Sequence, residues 1–386
     1  MLTSNINFIS FNIKKKTKSI KLKLKSILKE NNHIVQSLRR SYKDTYSRKT
    51  ISIFRKKFDY RIIGMGGSIL GAQAIYDFLK KKIKKKFYFI DNLKPIQKNK
   101  LNKNYNNIII SKSGNTIETI VNSNILIKKK DVNLFITENK KSYLKELANK
   151  LKSEVIHHNN YIGGRYSVLS EVGMLPSELM GLKSRNFRQL NNLVKNKKYM
   201  DKLVENVSAI IFYLKHKKFN SVIINYDENS SNLFHWYQQL VAESLGKKKI
   251  GILPIISNMP KDNHSVMQLY LDGFQNNFFT FFYVNEKKTI KINDKDVLSE
   301  YEFIKKKDIN DIMYAQKKAT EKVFQKQNIP FRSFEVSKRD EKTLGELFCF
   351  FMLETILIGN CLNINPFDQP AVELIKKETK KFLIKT

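Results

Sequence analysis

The stretch IIISKSGNTIET, Ile108 to Thr119, carries the densest set of groups able to hold an anion. Ser111, Ser113 and Thr116 supply hydroxyls, Lys112 supplies charge, and the backbone around Gly114 supplies N–H groups. An apolar run entering such a turn and opening a helix aims these donors, with the positive end of the helix dipole, at one phosphate-sized anion. The plainer reading is a helix cap, with Thr116 or Ser113 closing free N–H groups and Glu118 completing a box-like arrangement. Four hydroxyl or glycine positions within six residues exceed what one cap needs. A second turn of the same design lies in RIIGMGGSILGAQAIYDFL, Arg61 to Leu79. There Gly64, Gly66 and Gly67 let backbone approach a ligand, and Ser68 starts the helix. A dinucleotide fingerprint would need glycine where Ile69 stands, although Asp91 follows the strand-like FYFI at about the acidic spacing. Tight packing of a helix on a sheet is the alternative for this turn.

Four further positions have chemistry to offer. Arg165 follows two glycines in GGRYSVLSEVGMLP, where a guanidinium can reach across a turn to an anion, and Glu243 lies near the end of an otherwise acid-free helix in FHWYQQLVAESLGKKKI. His264 sits in a polar turn before an apolar run in PKDNHSVMQLYLDG. In NPFDQPAVELIKKETKK, Gln369 stands at a turn and Lys376 on the next helix. Taken singly, each has a bland reading: a surface ion pair, an ordinary helix face, a capping or core histidine, one more lysine.

The elements that must position these residues alternate. Strand signals fall at Tyr60 to Ile63, Phe87 to Ile90, Asn107 to Ile110, Asn133 to Thr137, Glu154 to His157, Ser221 to Asn225, Ile250 to Ile256 and Phe278 to Val284. Helical patterns lie between most of them, at Ser68 to Lys82, Thr116 to Lys129, Ser142 to Leu151 and Ser231 to Leu245. This predicts an α/β chain with two doubly wound, mainly parallel sheets flanked by helices. A long polar helical stretch, Leu175 to His216, bridges the two, with a boundary near residue 200. The division is an N-terminal helical arm over 1–50, a first unit over 51–200 and a second over 201–386, helical from Ile309 onward. Gly345 to Leu362 is apolar enough to be packed core.

Composition bounds the function. The chain has 386 residues, ample apolar content at 41%, and a net charge of +36 from 71 basic and 35 acidic residues. Ten of the basic residues are arginine and 61 are lysine, scattered along the whole chain with abundant Asn, Ile and Phe. Such a spread reflects a chain-wide compositional drift and not one nucleic-acid face, and the run KKKIKKK at Lys80 to Lys86 reads as a solvated tip. Cys349 and Cys361 have no metal or redox spacing and read as free, buried thiols. The lysine run near the start follows the apolar residues, which argues against a signal peptide. No window reaches eighteen continuous apolar residues, so no membrane span and a cytoplasmic location are expected.

In their order, IIGMGGSILG, SKSGNT, GGRYSVLS, WYQQLVAESLGK, DNHSVMQLYLDG and NPFDQPAVELIK resemble the phosphoglucose isomerase family over roughly residues 55 to 380. The resemblance implies two sugar-isomerase-type domains, interconversion of glucose 6-phosphate and fructose 6-phosphate through ring opening and a cis-enediolate, and a homodimer with shared active sites. No metal or organic cofactor is implied. Glu243 matches the family's catalytic base and Arg165 its enediolate-stabilising arginine. His264 matches the ring-opening histidine that reaches in from the second subunit, assisted by Lys376. Gly67, Ser68, Ser111, Lys112, Ser113 and Thr116 match phosphate and sugar contacts, and Gln369 a substrate contact. Asn263 stands where the family usually has Gln, Ile375 where it has Gly, and Ala371 replaces a common glycine. The Gly114-Asn115 pair stands where many members carry bulkier or hydroxyl residues. Other readings are a dual glucose and mannose phosphate isomerase, a non-catalytic sugar-phosphate sensor, and a basic nucleic-acid-associated protein.

Overall fold

A run such as Asn106–Ile110, buried at every position, belongs in a sheet covered on both faces, and the chain builds two of them. The computed structural model describes residues 1–13, 16–55, 59–94, 104–286 and 289–385; Lys14 and Lys15 of the N-terminal lysine run lie outside them. The strands in chain order are β1 (Ile6–Ile9), β2 (Tyr60–Gly64), β3 (Phe87–Ile90), β4 (Asn106–Ile110), β5 (Val132–Thr137), β6 (Glu154–His157), β7 (Asn220–Asn225), β8 (Leu253–Asn258), β9 (Asn277–Val284) and β10 (Phe331–Val336). The first sheet is ordered β3-β2-β4-β5-β6 with every pair parallel. The second is ordered β1-β10-β9-β7-β8, parallel except where β1 runs against β10.

Both sheets are wound the same way: a first strand sits between the second and third. In the first sheet the winding reverses between β2 and β4, where Gly64 lies opposite Ile110. Connections leave neighbouring strands on opposite faces at such a reversal, and a crevice opens beyond their carboxyl ends. The GMGGS and SKSGNT turns are those two connections.

The second sheet contributes to that crevice through a helix. Ser231–Leu245, between β7 and β8, packs against both Leu70–Phe78 of the first half and the core helix Glu341–Cys361. Trp236, Tyr237, Leu240 and Val241 are buried in that packing, which leaves Glu243 on the remaining, partly open face. Glu341–Cys361 starts on an Asp340 cap that accepts the Thr343 N–H at 2.8 Å. It is long and apolar enough to cross a membrane by length and composition, yet 89% of its most apolar window is buried inside the protein. Beneath Ser231–Leu245, Arg332 of β10 and Glu354 form a fully buried ion pair, with Asn206, Thr280 and Tyr237 supplying further hydrogen bonds.

Several expectations need correction. The first fifty residues are not wholly helical, since Ile6–Ile9 is a strand that edges the second sheet. Nor is the chain helical throughout after Ile309, because β10 follows the helix Ile309–Lys326. The strand expected from Ile250 starts at Leu253. The single bridge over Leu175 to His216 is broken: Glu171–Leu179, two short turns and Lys197–Lys215 replace it. Cys349 is buried, whereas Cys361 is only partly so, and both are free thiols.

Candidate active site

Two backbones meet at the floor of the crevice. A Cβ on Gly67 would stand 2.1 Å from the carbonyl carbon of Gly164 and 2.4 Å from the Arg165 nitrogen, so only glycine permits the approach. Arg165 follows directly in the short turn Gly164–Leu169, and its side chain is 1% exposed. Its Nε donates to Ser244 Oγ at 2.8 Å, one terminal nitrogen donates to Gln369 Oε1 at 2.8 Å, and the other to the carbonyls of Pro366 at 2.8 Å and Asp368 at 3.0 Å. The Trp236 indole N–H donates to the Arg165 carbonyl at 3.2 Å. The side-chain bonds fix a planar cation from two parts of the chain, the helix Ser231–Leu245 and the segment 366–369.

Glu243 Oε1 lies 3.3 Å from that guanidinium, and Oε2 accepts from Gln239 Nε2 at 3.0 Å. The carboxylate faces a cleft of about 490 Å³ lined in part by Gln73, Asp91, His235 and Gln239. Gln239 also closes over the Gly66 turn, where an added Cβ would stand 2.7 Å from its amide nitrogen. Sequence reasoning missed Gln239; its place one helical turn before Glu243 was the available signal.

In the SKSGNT turn, the Ser111 and Thr116 hydroxyls are 2.9 Å apart and the Gly114 N–H donates to Ser111 Oγ at 3.2 Å. Ser113 Oγ accepts the Asn115 N–H at 3.2 Å. Gly114 has φ +68°, and a Cβ there would meet Ser142 Oγ at 2.2 Å. Thr116 occupies the N-cap of Ile117–Leu126 but makes no side-chain capping bond, so the capping role fails for it. Lys112 Nζ donates to the Asn160 carbonyl at 2.7 Å and stands 3.7 Å from Glu138. Burial draws the Lys112 ammonium below the usual lysine range; Glu138 opposes this, while Lys140 and Arg165 add repulsion. Two cations within electrostatic reach of each other, beside a Ser113 hydroxyl that accepts one N–H and has its own proton left to donate, suit a dianion at this turn. Ser68 lies half-buried at the end of the Gly66–Ser68 turn on the same crevice.

The structure therefore brings together Gly67, Ser68, Ser111, Lys112, Ser113, Thr116, Arg165, Glu243 and Gln369. His264 is exposed in the turn Lys261–His264 after β8, with no hydrogen bond among the described residues to Arg165 or Glu243. Lys376 is also outside: it lies on the exposed helix Val372–Lys385 and pairs with Glu373 at 2.6 Å.

A parallel-sheet crevice at a winding reversal thus holds a buried arginine against a carboxylate, with an anion-binding type of turn beside them. The chain belongs to the phosphoglucose isomerase family: that family's model matches residues 13–385. A glucose-6-phosphate isomerase of Methanocaldococcus jannaschii is 34% identical over 82% of this chain and 82% of its own length. One of Campylobacter jejuni is 31% identical over 83% and 84%. Among solved structures, a hypothetical protein TT0462 of Thermus thermophilus superposes with a TM-score of 0.83 at 21% identity, over 95% of this chain and 94% of that one. A glucose-6-phosphate isomerase of Chlamydia trachomatis gives 0.68 at 19% identity, over 94% and 78%. At these identities the two structures speak for the fold.

Proposed function

We infer that the protein interconverts glucose 6-phosphate and fructose 6-phosphate at the crevice beside Arg165. The observation that carries this is the 3.3 Å pairing of a buried, four-times-bonded guanidinium with a half-open carboxylate. The Ser111, Lys112, Ser113 and Thr116 turn holds the phosphate, with Gly67, Ser68 and Gln369 against the sugar. Phosphate binding away from the reacting carbons supplies energy for orientation. Glu243 takes the C2 proton of the open-chain aldose and returns it at C1, and Arg165 balances the charge that develops on the enediolate oxygens. His264 and Lys376 open the sugar ring; histidine suits proton exchange with a ring oxygen near neutral pH.

Among the described residues neither bonds to Glu243 within one chain, which favours a homodimer whose second copy supplies His264. The exposed apolar residues Leu374, Ile375, Phe382 and Leu383 on Val372–Lys385 are a surface that such an assembly would cover. We divide the chain into an arm over 1–50, whose β1 edges the second sheet, and units over 51–200 and 201–386. The free thiols suit a reducing compartment, and we place the protein in the cytoplasm.

The deciding experiment is conversion of fructose 6-phosphate, with glucose 6-phosphate and mannose 6-phosphate quantified separately and Glu243→Gln alongside. The wild type forms glucose 6-phosphate and the variant loses about 10²- to 10⁴-fold in rate. A folded wild type that binds the ketose without turning it over sinks the isomerase reading.

A further inference from the structure

The loop that joins β6 to the Arg165 turn, residues 158–164, runs between the anion turn and a buried carboxylate that the proposed chemistry does not use. Glu171 opens the helix Glu171–Leu179 and is 0% exposed. Its Oε1 accepts the backbone N–H of Asn159 at 2.7 Å, and its Oε2 accepts the Tyr42 hydroxyl at 3.3 Å. One residue on, the Asn160 carbonyl accepts Lys112 Nζ at 2.7 Å. One short segment of backbone thus bonds a buried carboxylate on one side and the anion-binding ammonium on the other.

We propose that Glu171 is a positioning residue for Lys112, acting through the Asn159–Asn160 backbone, and so sets the grip of the site on the substrate phosphate. A lysine stem is flexible and its ammonium has no built-in direction, so something must aim it. The Asn160 carbonyl does that, and the carbonyl holds still only if the loop does. The loop is also tied by the His158 N–H to the Thr137 carbonyl at 2.9 Å, the Ile162 N–H to the Asn159 carbonyl at 3.2 Å, the core-buried Ile162 side chain, the Tyr161 N–H to Asn159 Oδ1 at 3.0 Å and the Tyr161 ring stacked on His33 at 4.5 Å, but none of these takes up the Asn159 N–H. His158 Nδ1 stands 3.9 Å from Glu171 Oε1, but burial pushes that imidazole down to about 4, so it is neutral in the working range and gives the carboxylate no ion pair. Asn159 Nδ2 adds a bond to the Tyr42 hydroxyl at 3.3 Å, which ties the same three groups together. Burial also raises the Glu171 carboxyl, and the Asn159 N–H, with a smaller share from the Tyr42 hydroxyl, pulls it back down.

The inference rests on the isomerase reading, and the test separates the two. Glu171→Ala is compared with Glu171→Gln, each made with Lys112 intact and with Lys112→Ala. Removing the carboxylate raises KM for fructose 6-phosphate about tenfold with kcat changed less than about threefold, since binding common to ground and transition states is lost. The glutamine, whose carbonyl still accepts the Asn159 N–H, restores most of it. In the Lys112→Ala background, Glu171→Ala adds less than about twofold. An equal effect in both backgrounds, or a fall in kcat at constant KM, overturns the proposal. If Glu171→Ala does not fold, Glu171→Met, which keeps most of the side-chain volume but cannot accept the Asn159 N–H, takes its place; the same KM pattern supports the proposal and unchanged KM refutes it. Calorimetric titration with inorganic phosphate reads the same Glu171–Lys112 coupling without turnover. A wild type that binds phosphate with that coupling but converts no sugar would cost the isomerase reading and keep this one.

Discussion

A single methyl group measures how closely the two glycine turns are pressed together. Gly67→Ala would put a carbon 2.1 Å from the Gly164 carbonyl carbon, and that neighbour is backbone, with no flexible end to swing aside. We expect a loss of about 1–3 kcal/mol in the urea unfolding free energy. We also expect kcat/KM to fall on the order of 10²-fold, because Arg165 is the next residue and a displacement of about an ångström at a reacting centre has that effect. A variant with unchanged kcat/KM would mean that Arg165 is located independently of this contact. The residues legible from sequence were those whose type limits their use: Arg165 after two glycines, Glu243 as its helix's lone acid, and the hydroxyls of SKSGNT. Gln239 was not, because glutamine on a helix is ordinary until Glu243 Oε2 is seen to accept from it. His264 and Lys376 were legible as residues but not as neighbours of the rest.

At the scale of elements, β10 is held to the helix in front of it by charge. Glu335 Oε1 accepts Lys317 Nζ at 2.6 Å and lies 2.7 Å from Lys318 Nζ, while Glu321 pairs with the same two lysines. Burial opposes ionisation of Glu335, but the two lysines outweigh it and hold the carboxyl at about 2, against an ordinary value of 4.5. A depressed carboxyl pKa stabilises the fold fully above its unfolded value, and that stabilisation is lost as pH falls through the folded one. Urea midpoints should therefore decline between about pH 4.5 and 2 more steeply in the wild type than in Glu335→Gln; parallel curves would show that the clasp is spent on solvent. The same strand explains what the sequence hid. FRSFEV, expected within a helical stretch, mixes in Arg332, Ser333 and Glu335, and Arg332 can be 0% exposed in a strand because Glu354, on a helix that comes later in the chain, neutralises it. Runs such as NNIII need no distant partner to be recognised, and those strands were placed within a residue or so. β1 was hidden differently: four residues beside a lysine-rich helix leave too short a pattern to resolve.

The whole molecule carries an exposed apolar helix near its end. Val372–Lys385 has no buried residue, and Leu374, Phe382 and Ile384 are each well over half exposed. Sedimentation of the purified protein should give a dimer that Leu374→Glu with Phe382→Glu weakens toward monomer, with loss of turnover in proportion, as a shared site requires. A monomer with full activity would remove the second copy from the mechanism. The pairing of Ile6–Ile9 with β10 has a consequence in time. Ile6 lies opposite Val336, so the strand leaves the ribosome some 330 residues before its partner exists. At about 5–20 residues per second this is a wait of roughly fifteen seconds to a minute, with Ile6, Phe8 and Phe11, all buried in the finished protein, open to whatever binds apolar nascent chain. A segment made some 330 residues ahead of its partner strand thus takes its place only once that strand exists.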